Sequence, residues 1–439
     1  MEDITMRKIF QYIMLAVVTI VMASCTSDIE ETTATAGKSN VQLVVGEFPA
    51  FGDSQTRAIG TLDPGKTSWA EGDELLLEMT SNTYGTQYAT FTYNDKSWKL
   101  TSGELVYLEG DPAYIPHVYY APNYKWEAGK LVLKEGKAAG TDEYIEGKAN
   151  ITPNGQAITV EFSKATRNYS RLRIATMPNK PITVTIDRYT PAGSSDMKWD
   201  QKYALTSDEK GNAYLYGTFE NNSEVTVKYR EAPLKTYTFS QATENAKSYA
   251  LDASIISLAG EGITYDQIVE DVKKELDAGK TYINLMLAPD ADEETLDAIH
   301  IGLAGASYGT INLTLIGCKK IPSGGFMYWK MLKSIALPDV TEIAEKAFLD
   351  CTRLQKVVLG NLTKVYGNVV KNGIFDGCRT KDIDLVLSKD QKVMNGGETE
   401  GGYCWTADIT KDYSGSNEHN GRVFLDYDFQ SITCVYPVP

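Results

Sequence analysis

Histidine is almost absent from this chain: among 439 residues only His117, His300 and His419 occur. Three rings so scattered build neither an H-E-x-x-H zinc motif nor a Cys/His finger, so neither a metal nor a cofactor is expected. Basic residues are in deficit too, 43 against 58 acidic, leaving a formal charge of −15. That balance argues against nucleic acid, whose phosphates require a cationic surface, and equally against adsorption to anionic lipid. No glycine-rich loop of the phosphate-cradling kind is present. Cysteine is scarce, with one residue at 25 and five more at 318, 351, 378, 404 and 434. Five cannot all pair. Cys351 and Cys378 occupy matching positions and could approach each other, but free buried thiols are the favoured expectation.

Two acidic or serine motifs invite a catalytic reading and resist it. "GASYG" (305–309) matches G-x-S-x-G around Ser307, yet a nucleophile elbow needs a strand before the serine and a helix after it. The pattern here predicts the reverse order. "PDADEET" (289–295) lacks the glycine and ligand spacing of a calcium loop, and acidic residues opening a helix suit its dipole. No enzymatic activity is expected.

The N-terminus carries a basic start at Arg7 and Lys8, an apolar run from Ile9 to Met22, then Ala23, Ser24 and Cys25. This is a secretory signal, short for a membrane span. Ending on cysteine, it resembles a bacterial lipoprotein signal, which implies cleavage after residue 24 and attachment to the outer membrane through lipid on Cys25. Residues 25–40 have no apolar pattern and read as a disordered tether. Asp28, Glu30 and Glu31 resemble the surface-export signal of such lipoproteins.

From 41 to 254 the texture is one of short β-prone runs: "YATFTY" (88–93), "AITVEF" (157–162), "PITVTI" (181–186), "AYLYGTF" (213–219) and "EVTVKY" (224–229). Period-two alternation with frequent turn signals predicts antiparallel β-sandwiches, and the length calls for two, 41–165 and 166–254. "TRAIG" (56–60), "WAEGDELLL" (69–77), "ATFTY" (89–93), "YYAP" (119–122) and "KSYALD" (247–252) follow one another in an order that resembles the fimbrillin family of type V pilus lipoproteins. The resemblance implies two transthyretin-like sandwiches and assembly with other pilin subunits by strand donation. It also implies surface proteolysis between Arg57 and Ala58, removing the first strand, "VQLVVGEF" (41–48).

From 255 to 439 the sequence repeats. Adding 22 carries Leu313 and Leu315 to Ile335 and Leu337, Ile321 to Ile343, and Phe326 to Phe348; a second step reaches Val357, Leu359 and Val365. An insertion near 366–373 delays the next phenylalanine, Phe375. One unit cannot bury its own apolar edge, but stacked units can. Ala347, Phe348, Cys351, Leu354, Val357 and Leu359, with Ile335, Leu337 and Pro338 one unit earlier, resemble BspA-type leucine-rich repeats. Two helices upstream, one carrying Ile268, Val272 and Leu276 and one over about 292–303, read as a cap. The expected fold is therefore two transthyretin-like antiparallel β-sandwiches followed by an α/β leucine-rich-repeat solenoid.

In such strands alternate residues face outward. That assigns Asn312, Thr314, Ser334, Ala336, Lys356 and Val358 to an exposed ligand-binding face, with Asp382 and Asp384 as weaker choices. The expected role is a cell-surface adhesin or accessory tip pilin that binds a host or bacterial surface protein or glycan through its repeat head. The tip position rests on a repeat domain standing where a simple donor strand would be. The alternative is a monomeric lipid-anchored receptor that captures a glycan or peptide.

Overall fold

Period-two alternation governs the chain as far as residue 252. The computed structural model describes residues 39–51, 65–152, 157–162, 166–230, 232–365, 373–387, 391–395, 403–406, 418–420, 422–425 and 427–434. The first strands are β1 (Gln42–Val45), β2 (Glu74–Ser81), β3 (Gly85–Asn94), β4 (Ser97–Gly103) and β5 (Ala113–Tyr120). A hairpin of β6 (Tyr124–Glu127) and β7 (Lys130–Leu133) precedes β8 (Ile145–Ile151) and β9 (Ala157–Glu161). Seven of them hydrogen-bond in the order β1-β9-β8-β5-β2-β3-β4. Leu75, Leu77 and Met79 of β2 face inward to meet Phe91, Val118, Ile158 and Val160. The rolled sheet brings its ends together, where Ser39 bridges Leu105.

A second unit follows: β10 (Ser170–Ala175), β11 (Pro181–Ile186), β12 (Tyr189–Pro191), β13 (Gln201–Thr206), β14 (Asn212–Phe219), β15 (Glu224–Tyr229), β16 (Ala232–Thr238) and β17 (Ser248–Asp252). Two sheets, β12-β14-β10-β17 and β13-β11-β15-β16, close over Ile182, Val184, Leu215, Phe219, Val225 and Val227. The expectation of purely antiparallel sandwiches is corrected in one respect. β1 pairs with β9, and β10 with β17, in parallel. Each of these partners returns after a long excursion through other strands, and only hairpin-joined neighbours are bound to run antiparallel.

Beyond Ser254 the main sheet is parallel. β18 (Ile256–Leu258), β19 (Tyr282–Leu287), β20 (Ile311–Ile316), β22 (Leu332–Leu337), β24 (Lys356–Leu359) and β26 (Asp384–Leu387) lie side by side, with the strand Ser431–Cys434 at the edge. Leu313 faces Ile335, which faces Val357, so the spacing of 22 is the register itself. Val357 then faces Leu385, which places the drift between these units; residues 366–372 of the inferred insertion lie outside the described residues. A narrower parallel ladder joins β21 (Lys320–Ile321), β23 (Glu342–Ile343), β25 (Lys364–Val365) and β27 (Gln391–Asn395).

Two α-helices occur among the described residues, α1 (Tyr265–Asp277) and α2 (Glu293–Gly302), both before the first 22-residue unit. Thr264 and Asp292 cap them, the Asp292 carboxylate accepting from the Thr295 N–H at 3.0 Å. The described residues of the units contain none, so among them the expected α/β alternation is confined to the cap. Their return segments direct N–H groups to the next unit instead of back along a helix: Phe326 N–H donates to Ala347 O and Phe348 N–H to Ile374 O, both at 2.8 Å. Phe326, Phe348 and Phe375 stack nearly face to face, with centroids 5.3 and 4.9 Å apart. Each following thiol donates to the carbonyl of the phenylalanine one unit back, Cys351 to Phe326 and Cys378 to Phe348, at 3.0 Å. Cys318, Cys351 and Cys378 are free.

Candidate functional site

The outward face of the parallel sheet resolves into two columns. Register places Tyr282, Asn312, Ser334, Lys356, Asp384 and Ser431 in one, and Asn284, Thr314, Ala336, Val358 and Val386 in the other. The second column is not open. Strand β16 of the second sandwich lies across it, with Ala232 packed among Ala336, Val358 and Val386. The Thr314 hydroxyl donates to Pro233 O at 3.1 Å, and the Asn284 amide to Leu234 O at 3.2 Å. The expected exposure of Thr314, Ala336 and Val358 is thus corrected, all three being buried. The reason is that β16 is an edge strand whose free carbonyls need donors, and this column supplies them. Arg230 pairs with Asp339 at 2.6 Å beside the seam, and Ile316 and Met286 reach into the sandwich core.

The first column stays accessible. Lys356 is exposed, Asn312, Ser334 and Asp384 are half-buried, and Ser334 donates to the Asn312 side-chain oxygen at 2.8 Å. The structure also decides between the weaker choices: Asp384 faces Lys356, whereas Asp382 lies in a 3₁₀ turn outside the column. At one end Lys235 of β16 stands 4.7 Å from the Tyr282 ring centre. Burial lowers the Lys235 pKa, opposed by the nearby Asp252 charge. Three of the six expected binding residues therefore share an open polar strip along the seam; three form the seam.

A second arrangement surrounds the N-terminal segment. Among the described residues β1 is bonded along one edge, to β9, while a backbone bridge from Ser39 to Leu105 and several side chains hold the rest of the segment. Asn40 bonds both ways with the Tyr107 backbone, at 2.7 and 2.9 Å, and the Trp69 indole donates to Gly46 O at 2.8 Å. Phe48 enters the first core edge-on to Trp69 and Tyr120. Three residues on, Phe51 leaves that core and enters a separate cluster with Tyr169, Ala192 and Tyr216 of the second sandwich. The guanidinium carbons of Arg167 and Arg171 stand 4.1 and 4.9 Å from its ring centre.

Arg167 is buried, which requires full pairing of its charge. It donates to both oxygens of Glu143, at 3.2 and 3.1 Å, and to the carbonyl of Pro49. Tyr169 donates to the same carboxylate and accepts the Tyr144 N–H at 3.1 Å. Burial, then the Glu143 charge, raises the Tyr169 pKa far above the ordinary value, so the phenol remains a donor. Gly140 lies close to this seam at φ +81°. A Cβ there would stand 2.5 Å from the Tyr189 hydroxyl, so the close approach demands glycine. Sequence reasoning missed this network. Its one local signal is the closely spaced pair of phenylalanines in "EFPAF" (47–51), away from any strand pattern.

Cys25, Arg57 and Ala58 lie outside the described residues. Ser307 is exposed on the turn between α2 and β20, its carbonyl accepting from the Thr310 hydroxyl at 2.7 Å. A helix precedes it and a strand follows. Among the described residues no three His, Cys, Asp or Glu side chains converge as metal ligands.

The chain is thus a mostly β protein, in which β-sandwich units lead into a stack of parallel strands. No family model matches it, and no curated protein does. Among solved structures it is similar to a candidate cell adhesion protein from Bacteroides fragilis NCTC 9343, at 10% identity and a TM-score of 0.28, over 49% of this chain and 92% of that one. A minor pilin of Streptococcus agalactiae is similar at 11% identity and 0.17, over 49% of this chain and 94% of the pilin. The TIE protein of Bacillus anthracis follows at 15% identity and 0.14, over 44% and 37%. Similarities this slight carry no argument, and the functional reading rests on the geometry.

Proposed function

We propose that this chain is a lipid-anchored cell-surface adhesin or accessory tip pilin. In this reading Cys25 carries the lipid, 41–165 and 166–254 are fimbrillin-like sandwiches, and 255–439 is a leucine-rich-repeat head. The single observation behind it is the attachment of β1, which completes the first core yet, among the described residues, is bonded as a strand along one edge, to β9. A strand held in that way is the kind another subunit's strand could replace. Arg57 follows it in sequence, between Phe51 and Gly65, where cleavage would separate 41–57 from the body. The strand Ser431–Cys434 already pairs with β26 in its own sheet, which suits a subunit that accepts a strand and keeps this one. The register of 22 and the phenylalanine stack support the leucine-rich-repeat reading. The polar strip of Asn312, Ser334 and Lys356 is its proposed contact with a partner protein or glycan.

One observation favours a second reading, the monomeric anchored receptor. Arg167 and Phe51 bind the N-terminal segment to both sandwiches, and a chain that retains this segment retains its lipid. Immunogold labelling separates the two. Gold at filament ends, lost in Arg57→Ala, is the expected result; an even surface coat unaffected by that substitution favours the receptor.

A further inference from the structure

The acidic balance of the whole chain conceals a local excess of the opposite sign. Residues 328–381 carry nine Lys and Arg against five Asp and Glu, within a chain of formal charge −15. The excess is ordered. Each of three successive units places two exposed cations where the chain enters its strand: Lys330 and Lys333 at β22, Arg353 and Lys356 at β24, Arg379 and Lys381 before β26. Stacked strands lie about 4.8 Å apart, so the pairs form a ridge along the stack. Backbone contacts join the units at this corner. The Gly309 N–H donates to Lys330 O at 2.9 Å, and the Arg353 stem lies against Gly309, where an added Cβ would stand 3.2 Å from Arg353 Cβ. In the next row Lys333 O accepts the Gln355 N–H at 2.8 Å, and Gln355 O accepts the Asp384 N–H at 2.9 Å.

Among the described residues these six cations form one ion pair, Lys381 with Asp428 at 3.7 Å. Neighbouring carboxylates are engaged elsewhere, Asp376 by the Tyr427 hydroxyl and Asp384 by the Ser431 hydroxyl. Like charges left together repel one another and attract a polyanion. Two tyrosines flank the ridge, Tyr308 at 68% and Tyr328 at 52% exposure. Tyr328 has a left-handed backbone, φ +66°, at the position where later units carry Asp350 and Gly377. Bulky side chains are disfavoured there. Its ring is not among the residues that pack the solenoid core, so folding does not account for the strain.

We propose that this ridge binds an anionic polysaccharide, whose sulfate or carboxylate groups meet the paired cations and whose sugar rings lie on Tyr308 and Tyr328. A linear ligand suits a row that advances one strand spacing per pair. The adjoining strip supplies the Asn312 amide and the Ser334 hydroxyl, groups that match sugar hydroxyls. A nucleic-acid duplex fits less well, because the rest of the chain is more acidic still and repels a wide polyanion. The inference rests on the adhesin reading, whose contact strip shares Lys356 with the ridge, and gives that contact a chemical class. It does not depend on the lipid or on cleavage at Arg57.

Binding of the purified full chain to immobilised heparin, polygalacturonate and neutral dextran is measured by surface plasmon resonance. Retention on either acidic polysaccharide, with none on dextran, supports the proposal, and the preference tells which acid group the ridge takes. Raising salt from about 50 to about 200 mM should weaken that binding at least about tenfold. Arg353→Glu with Arg379→Glu should also lose at least about tenfold. Lys130→Glu with Lys210→Glu makes the same charge change at exposed sandwich positions and should lose almost nothing. Tyr328→Gly relieves the left-handed backbone, so it should keep the melting temperature while weakening binding at least about threefold. Should the double reversal fail to fold, Lys330→Gln with Lys333→Gln replaces it. Equal loss from the sandwich control overturns the proposal, as does undiminished binding by the ridge variants. So does binding of duplex DNA, polyglutamate or anionic phosphatidylglycerol vesicles as tightly as either polysaccharide, or no retention on both. Such a failure leaves the adhesin reading to the immunogold result, which does not involve the ridge.

Discussion

The guanidinium carbon of Arg167 stands 4.1 Å from the centre of the Phe51 ring, across the seam between the two sandwiches. The same guanidinium is paired with Glu143, from the loop before β8. The segment after β1, a loop and the start of the second sandwich thus converge on one charge.

Arg167→Ala should destabilise the sandwiches by about 3–5 kcal/mol, because it leaves the Glu143 carboxylate buried without its cation. Urea unfolding followed by tryptophan fluorescence measures this. Arg167→Met combined with Glu143→Leu should cost less than the single change, since the pair is removed together.

Phe348→Ala breaks the stack between Phe326 and Phe375 and should cost about 3–5 kcal/mol. The damage should spread. Ile316 and Met286 belong to the second sandwich's core, and β16 rests on Thr314 and Asn284. Hydrogen exchange should therefore accelerate in β20–β26 and in β15–β16 together, while β2–β5 keep their protection. Faster exchange confined to the parallel strands would mean that the seam is weaker than its contacts imply.

The two columns of the parallel sheet should respond oppositely to substitution. Lys356→Glu, on the exposed column, should change stability by less than about 0.5 kcal/mol and reduce partner binding. Ala336→Arg places a charge against Ala232 and should cost at least about 1–3 kcal/mol by overpacking alone. Thermal melts and a binding assay on surface-displayed protein check both arms.

His300 gives the molecule a pH dependence. Stacked 4.7 Å from Trp329, its ring has a pKa lowered by burial, against the opposing pull of Asp297. The unfolded chain, with an ordinary value of about 6.5, therefore binds the proton more readily than the folded one. Stability from this group is complete above about pH 6.5 and falls as the pH drops below it. The melting temperature should decline between about pH 7 and 5.5, and His300→Phe should flatten that part of the profile.

Much of the fold is legible in the sequence because its information is local. "PITVTI" and "EVTVKY" alternate strictly and form β11 and β15 at their expected limits. The 22-residue spacing translates directly into register, since each unit meets only its neighbours. What escaped notice depends on contacts between distant segments. Arg167 looks like a surface residue until Glu143 and Pro49 are brought to it, and no nearby pattern encodes either. The covered column was half legible: Ala336 and Val358 are apolar at positions assigned to solvent, and near-continuous apolar runs mark parallel strands covered on both faces. The covering strand lies in another sandwich, so the sign could be noticed but its cause could not be derived.

The N-terminus of the protein on the cell surface tests the central claim most directly. Intact-mass and N-terminal sequencing of material sheared from cells should give a chain beginning at Ala58, with lipidated Cys25 confined to the unprocessed form and to Arg57→Ala. A surface protein that keeps lipidated Cys25 whatever trypsin-like proteases are present would contradict the tip-pilin account and leave the anchored receptor in its place.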